Sequence, residues 1–135
     1  MGEPSLQVVA VAAVVFRDDR ILAMRRSMRK DAGAGRWETV SGRVLPDEDP
    51  LKAVMREIAE ETGLEVTIEP RPVDAYATRR GSSPMTVIVY RADWVSGEVQ
   101  QSEEHDAHAW WTPDEFARHS TLHRLVHAVR RAAGA

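Results

Sequence analysis

The sequence predicts an α/β fold in which helices flank a mixed β-sheet, and three observations support this class. Residues 8–16 form a β-branched apolar run, which is typical of a central strand. Residues 85–94 (MTVIVYRADW) form a second run of the same kind. Between them lies a segment with the apolar periodicity of an amphipathic helix. At 135 residues the chain suits one domain with one sizeable core, so we expect a single domain over residues 1–135.

The first part of the chain predicts a hairpin and a short strand. The strand at residues 8–16 is followed by a turn at the two aspartates of residues 18–19. Residues 20–25 (RILAMR) then form the returning strand. Residues 27–36 are a polar loop, because they carry two glycines, and residues 37–40 form a short strand after it.

A loop over residues 41–49 leads into the predicted helix. Asp49 is a favourable N-cap residue, and Pro50 suits the first helical position. Gly63 is a natural residue to end the helix, since glycine adopts positive φ without strain. The predicted inward-facing stripe consists of Leu51, Val54, Met55 and Ile58.

The second part of the chain predicts more strands and two helices. The predicted strands span residues 66–68, 73–78, 85–94 and 109–112. The connecting segments that we predict as loops are residues 79–84 and the acidic residues 100–106. A small helix is expected over residues 113–119 with Thr112 as its cap. The residues that mark an amphipathic C-terminal helix are Leu122, Leu125, Val126 and Val129.

Three carboxylates of the first helix share one face, because Glu57, Glu60 and Glu61 are spaced i, i+3 and i+4. Like charges at these spacings repel one another by a few tenths of a kcal/mol per pair. Such a face therefore favours a bound cation. Since the chain has no cysteine and no histidine lies nearby, a hard ion such as Mg²⁺ is indicated, with Mn²⁺ as the alternative.

The carboxylates belong to a longer pattern in residues 42–64 (GRVLPDEDPLKAVMREIAEETGL). This segment resembles the Nudix box, G-x5-E-x7-R-E-U-x-E-E-x-G-U, in which U is a bulky aliphatic residue. The residues at its fixed positions are Gly42, Glu48, Arg56, Glu57, Ile58, Glu60, Glu61, Gly63 and Leu64. The resemblance implies the Nudix fold, a mixed β-sheet in an α/β/α sandwich, over nearly the whole chain. It also implies a Mg²⁺-dependent hydrolase of nucleoside diphosphates linked to another moiety.

The resemblance assigns metal-binding roles within the box. Glu60 and Glu61 are expected to be the main metal ligands, and the backbone carbonyl near Ser41 is expected to join them. Glu57 either shares the metal or helps to activate water. Metal ions neutralise pyrophosphate oxygens and lower the pKa of bound water, which makes in-line attack feasible.

By the same resemblance, Glu48 pairs with Arg56 and fixes the loop against the helix, so it organises the site. A further metal-binding or base glutamate often comes from a later loop of the family. Glu104 matches best, with Glu103 next, and the alternative is an acidic loop that faces solvent. His105 and His108 flank this loop and are interpreted as surface histidines, with entry into the site as the alternative.

Arginines at the end of the second strand are candidates for holding a substrate phosphate. The resemblance favours Arg26, with Arg25 beside it, and the alternative is solvation of the strand end. Arg79 and Arg80 are further candidates in a loop. The tryptophans could stack on a base, although such residues more often fill a core or an interface.

Three features of the sequence bear on the substrate and on the competing functions. Ser41, Leu45 and Asp47 depart from residues that are common in the family, and the chain has no asparagine with which MutT-like enzymes read oxidised guanine. A nucleotide sensor with the same fold is the alternative function, although sensors usually lose box glutamates. An isopentenyl-diphosphate-isomerase-like enzyme is excluded because it requires a catalytic cysteine.

The net charge and the apolar segment near the N-terminus indicate which kinds of partner to expect. The net charge of −3 gives no electrostatic case for long nucleic acid, whereas one small nucleotide needs only a local basic pocket. Residues 8–16 are too short to span a bilayer, and no basic segment precedes them, so we expect no membrane association and a cytoplasmic location. A homodimer stays open as the assembly state.

Overall fold

The computed structural model describes residues 2–29 and 33–134. Part of the loop predicted over residues 27–36, namely residues 30–32, lies outside the described residues. The strands in chain order are β1 (Val8–Arg17), β2 (Arg20–Arg26), β3 (Trp37–Glu38), β4 (Val40–Arg43), β5 (Glu65–Ile68), β6 (Asp74–Arg80), β7 (Ser83–Ser96) and β8 (His105–Trp111). The helices are α1 (Pro50–Thr62), which lies between β4 and β5, and α2 (Pro113–His119) and α3 (His123–Ala133), which follow β8.

The sheet is built around β1 and β7, the two apolar runs of the sequence. These strands pair in parallel along their length, from Val8 opposite Met85 to Phe16 opposite Asp93. The other pairings are antiparallel: β2 and β4 join β1, β5 and β6 join β7, and β3 and β8 join β2. A strand buried on both faces has no solvated side, which explains why β1 is apolar without alternation. The predicted mixed sheet is confirmed.

Two cores lie on opposite faces of this sheet. Alternate residues of a strand point to opposite faces. Even-numbered residues of β1 such as Val14 pack in one core with Phe116 of α2 and Val129 of α3. Odd-numbered residues such as Val11 pack in the other core with Val54 and Ile58 of α1. The α/β/α sandwich is therefore confirmed. Within the described part of the chain, no helix has the length and apolar character needed to cross a membrane.

Several predicted boundaries were wrong where strands pair over long sequence distances. Strand β8 begins at His105 and not at residue 109, because it continues along β2 until His105 lies opposite Arg26. The segment predicted as a loop over residues 79–84 is mostly a hairpin, with its turn at Gly81 and Ser82. Likewise, β4 extends to Arg43 inside the predicted loop 41–49 because it pairs with β1.

Helix α1 ends as predicted, but it buries a different face. Gly63 terminates the helix with φ 69°, and Asp49 occupies the N-cap position without a side-chain capping hydrogen bond. Met55, predicted in the buried stripe, is 53% exposed. The buried residues of this helix are Ala53, Val54, Ile58, Glu61 and Thr62. The buried face is thus rotated toward the carboxylates, which brings Glu61 inside the protein.

Candidate active site

The three box glutamates of α1 lie in three different environments. The side chain of Glu61 is 3% exposed, that of Glu57 is 12% exposed, and that of Glu60 is 60% exposed. The three carboxylates that the spacing predicts on one face therefore differ in their exposure to solvent. The residues at i and i+4, Glu57 and Glu61, turn toward the sheet, whereas Glu60 points to solvent and contacts Arg56 at 3.4 Å.

Glu61 is a buried carboxyl group with incomplete hydrogen bonding. Its Oε1 accepts a hydrogen bond from the backbone N–H of Ser41 at 3.4 Å, while its Oε2 has no hydrogen-bond partner. Burial raises its pKa, and the neighbouring carboxylates of Glu57 and Glu104 raise it further. Two carboxyl groups in contact cannot both be charged without a proton or a cation between them.

Gly42 is required by the position of Glu57. A Cβ atom at Gly42 would overlap the Glu57 carboxylate. Gly42 lies in β4 opposite Val11 of the central strand, so the backbone there is held by the sheet. This close approach explains in physical terms why the position carries no side chain.

Arg56 joins the loop before α1 to the acidic pair. Its Nε and Nη2 donate to the two oxygens of Glu48 at 2.9 and 3.0 Å, which is bidentate geometry. It also donates to Glu57 at 2.8 Å and to the carbonyl of Arg43 at 3.1 Å. Hydrogen bonds, first from Arg56 and then from the Leu45 backbone, lower the pKa of Glu48 to about 2. The ion pair therefore persists at all physiological pH values.

A cavity of about 670 Å³ opens beside this acidic pair. Ser41, Gly42, Glu57 and Glu104 lie along its wall. The arginines that line it are Arg26, Arg36, Arg43, Arg79, Arg80 and Arg124. A cavity that combines carboxylates with many guanidinium groups suits a ligand that carries both phosphates and a bound cation.

The two candidate phosphate-binding arginines of β2 are separated by the structure. Arg26 lines the cavity and lies 3.9 Å from Glu38, which also lines it. The side chain of Arg25 donates to Asp106 at 2.7 Å and is not among the cavity-lining residues. Adjacent residues of a strand point to opposite faces, so only one of the pair faces the cavity.

Sequence reasoning missed several residues of the site. Tyr76 and Arg124 line the cavity together, with the Arg124 guanidinium 5.1 Å from the Tyr76 ring. The period-two pattern of β6, which places Tyr76, Thr78 and Arg80 on one face, could have revealed part of this wall. The interpretation of His105 as a surface residue was wrong, because it is buried between Glu38 and Glu61.

The tryptophans take no part in the cavity wall. Trp37 packs against Trp111 with ring centroids 4.5 Å apart, and Trp111 stacks on His119 at 4.2 Å. Trp94 lies under the Arg17 guanidinium, and Trp110 packs against the core on the α1 side. None of them lines the cavity. These side chains stabilise the fold, so the base-stacking alternative has no geometric support.

The donor set of the acidic pair fits a hard cation. Among residues 2–29 and 33–134, no three acidic, imidazole or thiol side chains are placed as a complete metal-binding group. The orphaned Oε2 of buried Glu61, however, lies in a carboxylate pair with Glu57 and within the electrostatic reach of Glu104. Oxygen atoms of this kind are the ligands that Mg²⁺ and Mn²⁺ prefer.

Comparison with known proteins identifies the family. The NUDIX domain model matches residues 6–131, which is nearly the whole chain. A MutT-like protein of Streptomyces ambofaciens is 39% identical over 94% of this chain and 76% of its own length. The CTP pyrophosphohydrolase of Escherichia coli is 33% identical over 80% of this chain and 78% of its own length. The crystal structure of a MutT protein from Methanosarcina mazei has the same fold, with a TM-score of 0.84 and 24% identity over 97% of this chain and 96% of that one. The chain therefore belongs to the Nudix family and is a Nudix-type hydrolase of phosphoric anhydride bonds.

Proposed function

We propose that this protein is a divalent-metal-dependent pyrophosphohydrolase that cleaves a nucleoside diphosphate linked to another moiety. The observation that carries the proposal is the pair of buried Glu61 and partly buried Glu57, which adjoins a cavity lined with arginines. The acidic pair suits the cation, and the arginines suit the phosphates. Nudix hydrolases generally use divalent metals, and Mg²⁺ is the ion we propose, with Mn²⁺ as a substitute.

In this proposal the metal is bound by Glu57, Glu61 and the backbone carbonyl of Ser41. When bound, the ion neutralises phosphate oxygens and lowers the pKa of water near it. Glu60 stays a ligand predicted from the family resemblance alone, and its carboxylate here is exposed and lies 3.4 Å from Arg56. Arg56 and Glu48 hold the β4–α1 loop in place and keep Glu57 directed at Gly42.

Removal of a proton from the attacking water requires a general base, and a carboxylate that lines the cavity suits this role. Glu57 and Glu104 both line it, so both remain candidates for the general base. Arg26, from the end of β2, is the proposed phosphate-binding residue. Because guanidinium groups bind phosphate oxygens bidentately, Arg26 would orient the anhydride bond and offset its developing negative charge.

One part of the cavity wall is suited to a nucleoside. Tyr76 and Met85 of the β6–β7 hairpin and Leu122 and Arg124 near the start of α3 line it. Aromatic and apolar groups beside a few polar ones are typical of small-ligand sites. The similar proteins are named CTP pyrophosphohydrolase in Escherichia coli and putative 8-oxo-dGTP diphosphatase 2 in Mycobacterium tuberculosis. Nucleoside triphosphates are therefore the first substrate class to test.

The decisive experiment measures phosphate and pyrophosphate release across nucleoside triphosphates, ADP-ribose, dinucleoside polyphosphates and sugar nucleotides. Each compound is tested with Mg²⁺ and with EDTA, in the wild type and in Glu57→Gln. We expect Mg²⁺-dependent turnover of one class and at least a hundredfold loss in the variant. Nucleotide binding without turnover of any compound would instead support the sensor function.

Arg26→Ala tests the phosphate-binding role, with Arg25→Ala as the matched control from the same strand. Arg26 lines the cavity, whereas Arg25 pairs with Asp106 outside it. We expect Arg26→Ala to lower kcat/KM by ten- to a hundredfold, since charge-assisted hydrogen bonds contribute about 1.5–3 kcal/mol. Equal effects of the two variants would contradict the assignment.

A cytoplasmic location and a homodimer stay predictions.

A further inference from the structure

His105 is a buried imidazole held between two carboxyl groups from different elements. Its side chain is 1% exposed at the start of β8. Its Nε2 lies 2.9 Å from Oε2 of Glu38 in β3, and its Nδ1 lies 3.7 Å from Oε1 of Glu61 in α1. The imidazole therefore bridges the sheet and the helix that carries the box glutamates.

Long-range pairing fixes this arrangement. Strand β2 pairs with both β3 and β8. Met24 lies opposite Glu38 of β3, and Arg26 lies opposite His105 of β8. The backbone N–H of Ser27 donates to the carbonyl of Glu104 at 2.8 Å, which fixes the entry into β8. The imidazole is thus attached to a rigid sheet.

The hydrogen bond to Glu38 determines which nitrogen carries the proton. A carboxylate accepts hydrogen bonds, so Nε2 is the donor, and in the neutral ring Nδ1 is left as an acceptor. Nδ1 of His105 and Oε2 of Glu61 are the two buried side-chain polar atoms without a hydrogen-bond partner in the described part of the chain. They belong to neighbouring side chains, since Nδ1 lies 3.7 Å from the other Glu61 oxygen, Oε1. Orphaned atoms of this kind are rare enough in folded proteins to require an explanation.

We propose that His105 is a positioning residue for Glu61, and this rests on the proposed metal-dependent function. The ring is anchored by Glu38 and lies against Oε1 of Glu61, while the Ser41 backbone N–H donates to the same oxygen. These two contacts fix the rotation of the carboxyl group and leave Oε2, the oxygen without a hydrogen-bond partner, as the atom available to a cation. Groups that orient metal ligands in this way commonly change metal affinity by 10- to 100-fold.

The test measures Mn²⁺ binding without substrate, by electron paramagnetic resonance, in the wild type and in His105→Ala, His105→Gln and Glu38→Ala. We expect His105→Ala to weaken Mn²⁺ binding by ten- to a hundredfold and Glu38→Ala to weaken it by a smaller factor. His105→Gln should recover part of the affinity, because its amide is polar at both ends and can still donate to Glu38 while it lies against Glu61. His108→Ala is the matched control, since His108 lies in the same strand, is exposed and contacts Gln101 at 2.7 Å.

The outcomes separate this inference from the proposed function. If the wild type binds no Mn²⁺, the metal-dependent function itself fails. If the wild type binds Mn²⁺ and His105→Ala binds it equally well, only the positioning role is overturned. A second measurement uses only the wild type, so it does not depend on how a variant folds. It records long-range ¹H–¹⁵N spectra of the imidazole. These should show the proton on Nε2, and a neutral ring protonated on Nδ1 would overturn the inference.

Discussion

Replacing Glu61 by glutamine should stabilise the metal-free protein while it abolishes metal binding. Glu61 is buried, its Oε2 has no hydrogen-bond partner, and burial raises its pKa above the ordinary 4.5. Glutamine has nearly the same shape and no charge. Its amide N–H can also donate to the unpartnered Nδ1 of His105, which lies 3.7 Å from Oε1.

The magnitude follows from the proton that Glu61 takes up on folding. In the unfolded chain at pH 7, this carboxyl group is ionised, whereas the raised pKa keeps it protonated in the folded protein. Protonating it across about 2.5 pH units at about 1.4 kcal/mol per unit costs at most about 3.5 kcal/mol. We therefore expect Glu61→Gln to raise the free energy of unfolding by about 1–3 kcal/mol at pH 7.

The sign of the pH dependence provides a second check. A folded-state pKa above the unfolded value gives stability that is complete below about pH 4.5 and is lost as the pH rises toward the folded value. In urea unfolding with EDTA at pH 5, 7 and 9, the advantage of Glu61→Gln should therefore grow with pH. Glu60→Gln is the control, because that carboxylate is exposed and should change stability by less than about 0.5 kcal/mol.

Two results would refute this reasoning. One is a Glu61→Gln variant that is less stable than the wild type at pH 7 in EDTA. The other is a stability difference between the two proteins that stays constant from pH 5 to pH 9. Either result would mean that Glu61 is ionised in the folded protein without a metal, so that the buried pair is compensated by groups other than a proton.

Three further predictions concern the residues that support the site. Gly42→Ala should cost about 1–3 kcal/mol in urea unfolding and lower kcat at least tenfold, because its Cβ would displace the Glu57 carboxylate. Arg56→Ala should lower stability at pH 6, and it should remove the loss of stability that we expect in the wild type as Glu48 is protonated between pH 4.5 and about 2. Thr112→Ala should lower the thermal stability by about 1 kcal/mol without changing activity, because Thr112 closes the capping box of α2.

Local sequence information was sufficient for the elements that carry the box. The periodicity, the proline after Asp49 and the following Gly63 defined α1 within a residue. Apolar β-branched runs identified β1 and β7, because strands buried on both faces have no polar side. The box spacing identified the family, since Gly42, Arg56 and the glutamates occur in a register that unrelated helices do not share.

The environment of each glutamate could not be predicted from spacing. Helical periodicity shows that Glu57, Glu60 and Glu61 are neighbours, but it does not show which side of the helix meets the sheet. That is decided by how α1 packs on β1 and β4, and it makes Glu61 buried and Glu60 exposed. The same limit applies to Met55, which shares the periodicity of the core but is exposed.

The sequence alone determined the family, the α/β class and the residues of the box, because these depend on patterns within a few turns of chain. Only the tertiary structure decided the position of His105 beside Glu61 and the joining of Tyr76 with Arg124 in one cavity wall. These contacts depend on strand register and on helix packing between segments far apart in sequence. Their geometry is set by the packing of the helices on the two faces of the sheet, and no local sequence pattern predicts it.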